Sequence, residues 1–199
     1  MSAEPTGAVG PGAVESGVRP SAVQPSAERP SAERPSAERA RAVLVALGER
    51  GETLAVAESL TGGLLAAAFV EVPGASRVFR GGIVAYATDL KARLLGVPPP
   101  LLSSHGPVDP AVAAALAAGA RERCGSDWAA ATTGVAGPEP QAGQPVGRVY
   151  IAVVGPPPGP GAPERVEVRQ LTLAGDRAAV RAGAVDAALE LLAQTLAVP

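Results

Sequence analysis

Apolar residues recur at helical spacing at Ala40, Val43, Leu44 and Leu47, and glycines at 48 and 51 follow. This pattern predicts a helix from about Ser36 that faces a core on one side. Thr53–Ala57 (TLAVA) is short, apolar and β-compatible, which predicts a buried strand. Thr61–Val72 then reads as a helix with Gly62 and Gly63 in its first turn, stopped by Pro73-Gly74. Gly82–Tyr86 predicts a second strand. Thr88 is placed as the N-cap of a short helix that carries Asp89 in its first turn and ends at Gly96. Pro98–Pro100 reads as a stiff connection, and Ser103–Pro107 as a turn. Asp109-Pro110 opens a helix to about Cys124, as cap and first helical residue.

The second half continues the alternation. Trp128–Thr133, Val146–Val154 and Val166–Leu173 read as strands, separated by Gly/Pro loops at 134–145 and 155–163. Asp176 caps a last helix from Arg177 to about Leu196. The early βαβα order calls for parallel pairing, and three final strands joined only by loops call for antiparallel pairing. The expected fold is a single three-layer α/β/α domain with a mixed sheet, over residues 37–199.

Residues 1–36 break this pattern. They are rich in Pro, Ser, Ala, Gly and Glu, with five-residue PSAVQ/PSAER repeats from Pro20. Such a segment buries too little apolar surface to offset its ordering entropy and is expected to be a disordered tail without catalytic role.

Composition narrows the chemistry. Aromatics make up 3% of the 199 residues, so the core is built mainly from Ala, Val and Leu. The formal net charge of −2 gives no footprint for nucleic acid. No apolar run reaches membrane-spanning length, and the N-terminus has no apolar signal-peptide core. Cys124 is the only cysteine, which excludes an internal disulfide and suits a reducing cytoplasm, the expected location. One His and one Cys cannot build a zinc site, so neither metal nor cofactor is expected.

Ser59 stands two positions past the predicted strand Thr53–Ala57 and before a glycine-rich helix start. That junction exposes a hydroxyl at the sheet edge beside backbone N–H groups that favour an anion. Spacing equally allows Ser59 or Thr61 to be a helix cap. A serine nucleophile needs a base. His105, the only histidine, falls in the 103–107 turn. Lys91 is the only lysine among 17 basic residues, and the rest are arginines that cannot act as bases near neutral pH. It lies in the first turn of a short helix, where the dipole disfavours the ammonium form and burial acts in the same sense. Tyr86, at the preceding strand end, is a candidate to donate or relay a proton. Thr132–Pro138 (TTGVAGP) with Pro145-Val146-Gly147 allows backbone to approach a ligand closely. Asp176-Arg177 at a helix start suits a phosphate.

Four segments, AVAESLTGGLLAAAFVEVPGASRVFRGGIVAYATDLKARLLGV, HGPV, TTGVAGPEPQAGQPVGRVYIAV and GDRAAVRAGAVDAAL, together resemble the C-terminal domain of the CinA (competence/damage-inducible) family across about residues 40–197. Stand-alone members are similar to nicotinamide mononucleotide (NMN) amidohydrolases. The resemblance implies a three-layer α/β domain that hydrolyses the NMN amide to nicotinate mononucleotide and ammonia, a step of pyridine nucleotide salvage. It implies Ser59 as nucleophile, with Lys91 and Tyr86 as its catalytic companions. Arg177 and the backbone around Thr61, Gly62, Gly63, Thr133, Gly134, Ala136 and Gly137 would bind substrate. It also implies a homo-oligomer with a small-molecule substrate. Leu60 replaces a frequent cysteine, Ala87-Thr88 a frequent Ser-Asn pair, and Glu139–Gly143 the usual glycine run. The alternative class is a non-catalytic partner protein in competence or DNA-damage response. Release of ammonia from NMN separates the two.

Overall fold

A computed structural model describes residues 35–198. The expected tail, 1–36, lies outside the described residues except for its last two, which already belong to the first helix. That helix, α1 (Pro35–Arg50), turns Ala40, Val43, Leu44 and Leu47 inward, and it runs on through Gly48. Five strands follow: β1 (Leu54–Glu58), β2 (Phe79–Val84), β3 (Trp128–Gly134), β4 (Arg148–Gly155) and β5 (Arg165–Thr172). They form one sheet in the order β2-β1-β3-β4-β5. β1 pairs parallel with β2 and β3, whereas β3–β4 and β4–β5 are antiparallel. The fold is therefore α/β with a mixed sheet, as the order of elements implied.

The other helices are α2 (Leu64–Val70), α3 (Thr88–Leu95), α4 (Pro99–His105), α5 (Pro110–Cys124) and α6 (Arg177–Thr195). They cover both faces of the sheet. On one face α1, α2 and α6 pack over Leu54, Val56, Ala130 and Ile151. On the other, α3, α4 and α5 pack over Ala57, Ala129, Ala131 and Ala152. Alternate residues of one strand thus feed two cores, which explains why β1 and β3 read as unbroken apolar runs.

Several boundaries differ from those the sequence predicts. The helix expected over Thr61–Val72 is only Leu64–Val70, because Gly62 and Gly63 adopt left-handed conformations (φ 59° and 100°) and make a turn instead. β2 begins at Phe79, three residues before the expected strand, and stops short of Tyr86. Its two glycines sit inside the strand; a Cβ on Gly82 would lie 2.8 Å from Val56 Cγ2. Thr88 is the first helical residue and not the cap of α3; Ala87 is the cap residue and makes no side-chain bond. The stiff connection and turn predicted over 98–107 are largely α4, since Pro99 and Pro100 occupy first-turn positions where no N–H is needed. The caps at Asp109 and Asp176 are as expected, accepting from Ala111 N and Ala179 N.

The topology creates the crevice that matters. From β1 the chain crosses to β2 over the α2 face, and it returns to β3 over the α3–α5 face. β1 and β3 are neighbours whose onward connections diverge, and such a switch point leaves an open groove at the carboxyl ends of the strands. Ser59 and Val135 stand directly after those two ends.

The α3–α5 contact holds this arrangement closely. A Cβ on Gly119 of α5 would lie 1.9 Å from the Leu95 carbonyl oxygen of α3. Gly119→Ala is therefore expected to destabilise the protein by about 1–3 kcal/mol despite alanine's better helix propensity. A thermal or urea melt checks this; an unchanged or raised midpoint contradicts the close packing.

Candidate active site

Ser59 is the first residue beyond β1, and its N–H donates to Thr132 O of β3 at 3.1 Å. The chain then makes a β-turn, with Gly62 N–H donating to Ser59 O at 3.2 Å. What holds this turn is Glu58, buried to 1% exposure. Its carboxylate accepts from Gly63 N (2.9 Å), Leu65 N (3.1 Å) and Ala66 N (2.8 Å). These are N–H groups that a helix start leaves without partners, and a carboxylate there is favoured by both hydrogen bonding and the helix dipole. Beneath the turn the hydroxyls of Thr61 and Thr132 bond to each other at 2.8 Å.

Lys91 reaches the same point from α3. It is 1% exposed, one of the few charged-type residues inside the molecule. Its Nζ lies 2.8 Å from Ser59 Oγ and donates to Ala85 O at 2.6 Å. Ala85 is itself fixed by donating its N–H to Glu58 O at 2.9 Å. Burial lowers the Lys91 pKa from its ordinary 10.5 to about 8. Neutral amine is thus present near neutral pH, with one N–H on a carbonyl and its lone pair available to the serine hydroxyl. This is the Ser–base pairing that nucleophilic catalysis requires.

The groove at the switch point is lined by Ser59, Leu60, Tyr86, Thr88 and Lys91 on the β1 side. Pro107, Val108, the Thr133–Gly137 backbone and Arg177 line the other, with Glu139 and Gln141 on a loop beside them. Ser59, Lys91, Tyr86, Thr133, Gly134, Ala136, Gly137 and Arg177 therefore come together. Thr61, Gly62 and Gly63 do not line it. Thr61 is fully buried, Gly63 N–H is taken by Glu58, and Gly62 N–H by Ser59 O. The Thr133 hydroxyl is also occupied, donating to Pro107 O at 2.7 Å.

Tyr86 is 60% exposed, and its hydroxyl accepts from Arg177 Nη2 at 3.0 Å. It has no hydrogen bond to Ser59 or Lys91. Arg177 also donates from Nη1 to Gly137 O at 2.7 Å. Tyr86 and Arg177 thus form a pair on the rim, which presents a fixed cation to the groove. His105 lies away from this groove, at the end of α4, with Nδ1 3.2 Å from Asp109 Oδ2. Among the described residues no cluster of His, Cys, Asp and Glu could hold a metal ion, and no helix is long and apolar enough to cross a membrane. Cys124 is half-buried, and burial pushes its thiol pKa up.

Three contributors were not singled out in the sequence: Glu58, the Ala85 carbonyl and Arg181. Arg181 of α6 donates to Leu60 O at 3.0 Å and to Thr61 O at 2.8 Å. Only the glutamate could have been found, as a carboxylate ahead of a glycine-rich helix start. The other two act through backbone atoms supplied by distant elements.

Fold and site together define a three-layer α/β domain with a buried Ser–Lys pair at the topological switch point of its sheet. The chain belongs to the CinA C-terminal domain family, whose model matches residues 36–196. It is 50% identical over 155 residues to a CinA-like protein of Frankia casuarinae, covering 78% of this chain and 34% of that one. It is 46% identical over 143 residues to a putative competence-damage inducible protein of Desulforamulus reducens, covering 72% and 33% respectively. The chain thus spans about a third of the length of these curated relatives. Among solved structures, it resembles a competence-damaged protein (CinA) superfamily protein of Klebsiella pneumoniae, with TM-score 0.74, 32% identity, and 81% and 98% of the two chains covered. The competence/damage inducible protein CihA of Agrobacterium tumefaciens superposes with TM-score 0.75 at 33% identity, over 82% and 96%.

Two outcomes follow from the buried groups. Glu58→Gln replaces one accepting oxygen by an NH2 group facing backbone donors, and it should cost about 2–3 kcal/mol, read from chemical denaturation; a loss below the error of the melt contradicts the carboxylate's role. For Lys91 the folded pKa lies below the unfolded one, so the unfolded chain binds more protons between pH 8 and 10.5. Folding stability relative to Lys91→Met should therefore rise by up to about 3 kcal/mol across that window and be flat below it. A difference constant with pH would mean that the amine is not desolvated.

Proposed function

We propose that this chain hydrolyses the carboxamide of NMN to nicotinate mononucleotide and ammonia, through a serine nucleophile activated by lysine. The observation that carries the reading is the 2.8 Å approach of Lys91 Nζ to Ser59 Oγ in a buried site. Neutral Lys91 takes the Ser59 proton as Oγ attacks the amide carbon. The tetrahedral oxyanion collapses, the C–N bond breaks, and the Lys91 ammonium returns the proton to the leaving nitrogen, which departs as ammonia. Lys91 then takes a proton from water, the hydroxide attacks the acyl-serine, and nicotinate mononucleotide leaves as Ser59 recovers its proton from Lys91.

The rest of the groove suits a nucleotide. Arg177, held by Tyr86 Oη and Gly137 O, offers a guanidinium for the phosphate. The reading takes a small molecule, not nucleic acid, as the ligand, and a homo-oligomer in the cytoplasm as the working form.

Ammonia release from NMN tests it. Ser59→Ala and Lys91→Met should each lower kcat by at least about 10³-fold. In the parent protein kcat/KM should rise with pH to a plateau above about 8, because the amine must be neutral. Arg177→Ala should raise KM for NMN more than for the unphosphorylated riboside. Undiminished activity in Ser59→Ala rules out the nucleophile. No ammonia from NMN in the parent protein leaves a non-catalytic partner role as the better reading; two similar proteins are named competence/damage inducible.

A further inference from the structure

At the carboxyl end of the sheet the strand ladder leaves a backbone donor open beside the nucleophile. Ser59 follows β1, the strand between β2 and β3. Its N–H donates to Thr132 O of β3 at 3.1 Å, so Thr132 turns its polar backbone atoms towards β1. Successive residues of a strand turn theirs to opposite sides. Thr133 therefore faces β4, and Gly134 faces β1 again, just past Ser59. The β4 side agrees: Val135 N–H donates to Arg148 O at 2.9 Å, which puts residues 133 and 135 on that side and 134 on the other. A continued parallel ladder would have Gly134 N–H donate to Ser59 O. Instead the chain turns after Ser59, and that carbonyl accepts from Gly62 N–H at 3.2 Å. Gly134 N–H thus has no acceptor among the described residues. Gly134 is partly exposed and lines the same groove as Ser59.

The backbone at this point is closely held. A Cβ on Gly134 would lie 2.6 Å from Arg148 O and 2.9 Å from Val149 Cα, so β3 and β4 approach as they do because this residue has no side chain. The Thr133 hydroxyl holds the preceding residue by donating to Pro107 O at 2.7 Å. The base reaches Ser59 from the other flank, since Lys91 Nζ is anchored on Ala85 O just beyond β2. Ser59 therefore has an amine on its β2 side and a free N–H on its β3 side. We propose that the Gly134 N–H is the oxyanion donor for acyl transfer at Ser59. This rests on the amidohydrolase reading above. As the Oγ–C bond forms, the carbonyl π pair moves onto oxygen, and Gly134 N–H donates a hydrogen bond to it without giving up its proton. The pair returns when the C–N bond breaks. A backbone dipole fixed in this way stabilises the developing charge without reorganisation. The N–H groups of Gly62 and Gly63 do not serve, being engaged by Ser59 O and Glu58.

The test removes that N–H alone. Cys124, the only cysteine, allows the full chain to be assembled by joining residues 1–123 to a synthetic 124–199 segment at that thiol. Glycolate at position 134 then replaces the Thr133–Gly134 amide by an ester. Against the parent sequence assembled the same way, kcat for NMN should fall by about 10²–10³-fold with KM little changed. The thioamide analogue of NMN should lose far less, because the sulfur of a developing thiolate accepts hydrogen bonds poorly. An equal loss on both substrates, or no loss on either, overturns the role of Gly134 while leaving Ser59 and Lys91 in place. A second measurement on the unaltered protein decides the matter if the ester chain does not fold. The 3-formyl analogue of NMN adds Ser59 Oγ to its aldehyde carbon as a hemiacetal, and the Gly134 amide proton, followed by NMR with 15N-glycine, should move downfield. It should stay in place in Ser59→Ala. A Gly134 proton unmoved by adduct formation overturns the proposal. Absence of any adduct, or of ammonia release from NMN, defeats the underlying reading itself.

Discussion

The hydrogen bond between Lys91 Nζ and Ser59 Oγ exists because α3 and β1 deliver two polar groups to one dry point at the edge of the sheet. A lysine side chain is long and strongly hydrated, and withdrawing it from water costs several kcal/mol unless it becomes neutral or finds partners. Here it has both. The amine is eased towards neutrality, with a pKa of about 8, and donates to the Ala85 carbonyl. The surrounding packing serves this end. Alanine and glycine at the helix–sheet contacts bring α5 against α3 with only backbone between, as at Gly119 and Leu95.

The turn after β1 faces the opposite problem, an excess of unpaired N–H groups. A helix start usually leaves such groups free, and a glycine-rich one invites an anion from solution. In this protein the anion is internal. Glu58 occupies three donors from within the core, those of Gly63, Leu65 and Ala66, while the left-handed glycines shape the turn. The buried carboxylate and buried amine sit on either side of Ser59 in the chain's architecture, linked through Ala85, whose N–H meets Glu58 O and whose carbonyl meets Lys91. Strand, turn and helix are thereby locked into one unit.

The rim is built differently. Tyr86 and Arg177 are exposed and meet each other across elements far apart in sequence. Glu139 and Gln141 stand at the groove's edge, so an acidic side chain shares the space with Arg177. The inner pair and the outer rim therefore follow separate logic: the first depends on exclusion of water, the second on the balance of charge facing it.

Much of this was legible in the chain itself. Strict apolar periodicity in α1, apolar runs in β1 and β3, and the Asp caps of α5 and α6 are local signals, and they appear where the pattern places them. The singularity of Lys91 and the position of Ser59 at a strand end are likewise one-dimensional facts. Helix and strand boundaries at 61–63, 79–81 and 99–105 were not legible, because glycine and proline permit several conformations and only neighbouring elements select one. The sheet order, and hence the groove between β1 and β3, arises from which helix crosses which face. Burial of Lys91, capture of Glu58 by backbone donors and the reach of Arg181 to the Leu60 and Thr61 carbonyls are long-range contacts. Sequence alone determined which chemical groups the protein possesses and the local elements that carry them. Tertiary structure decided which of them meet and in what dielectric, because water exclusion and hydrogen-bond direction are properties of packed neighbours and not of any single segment.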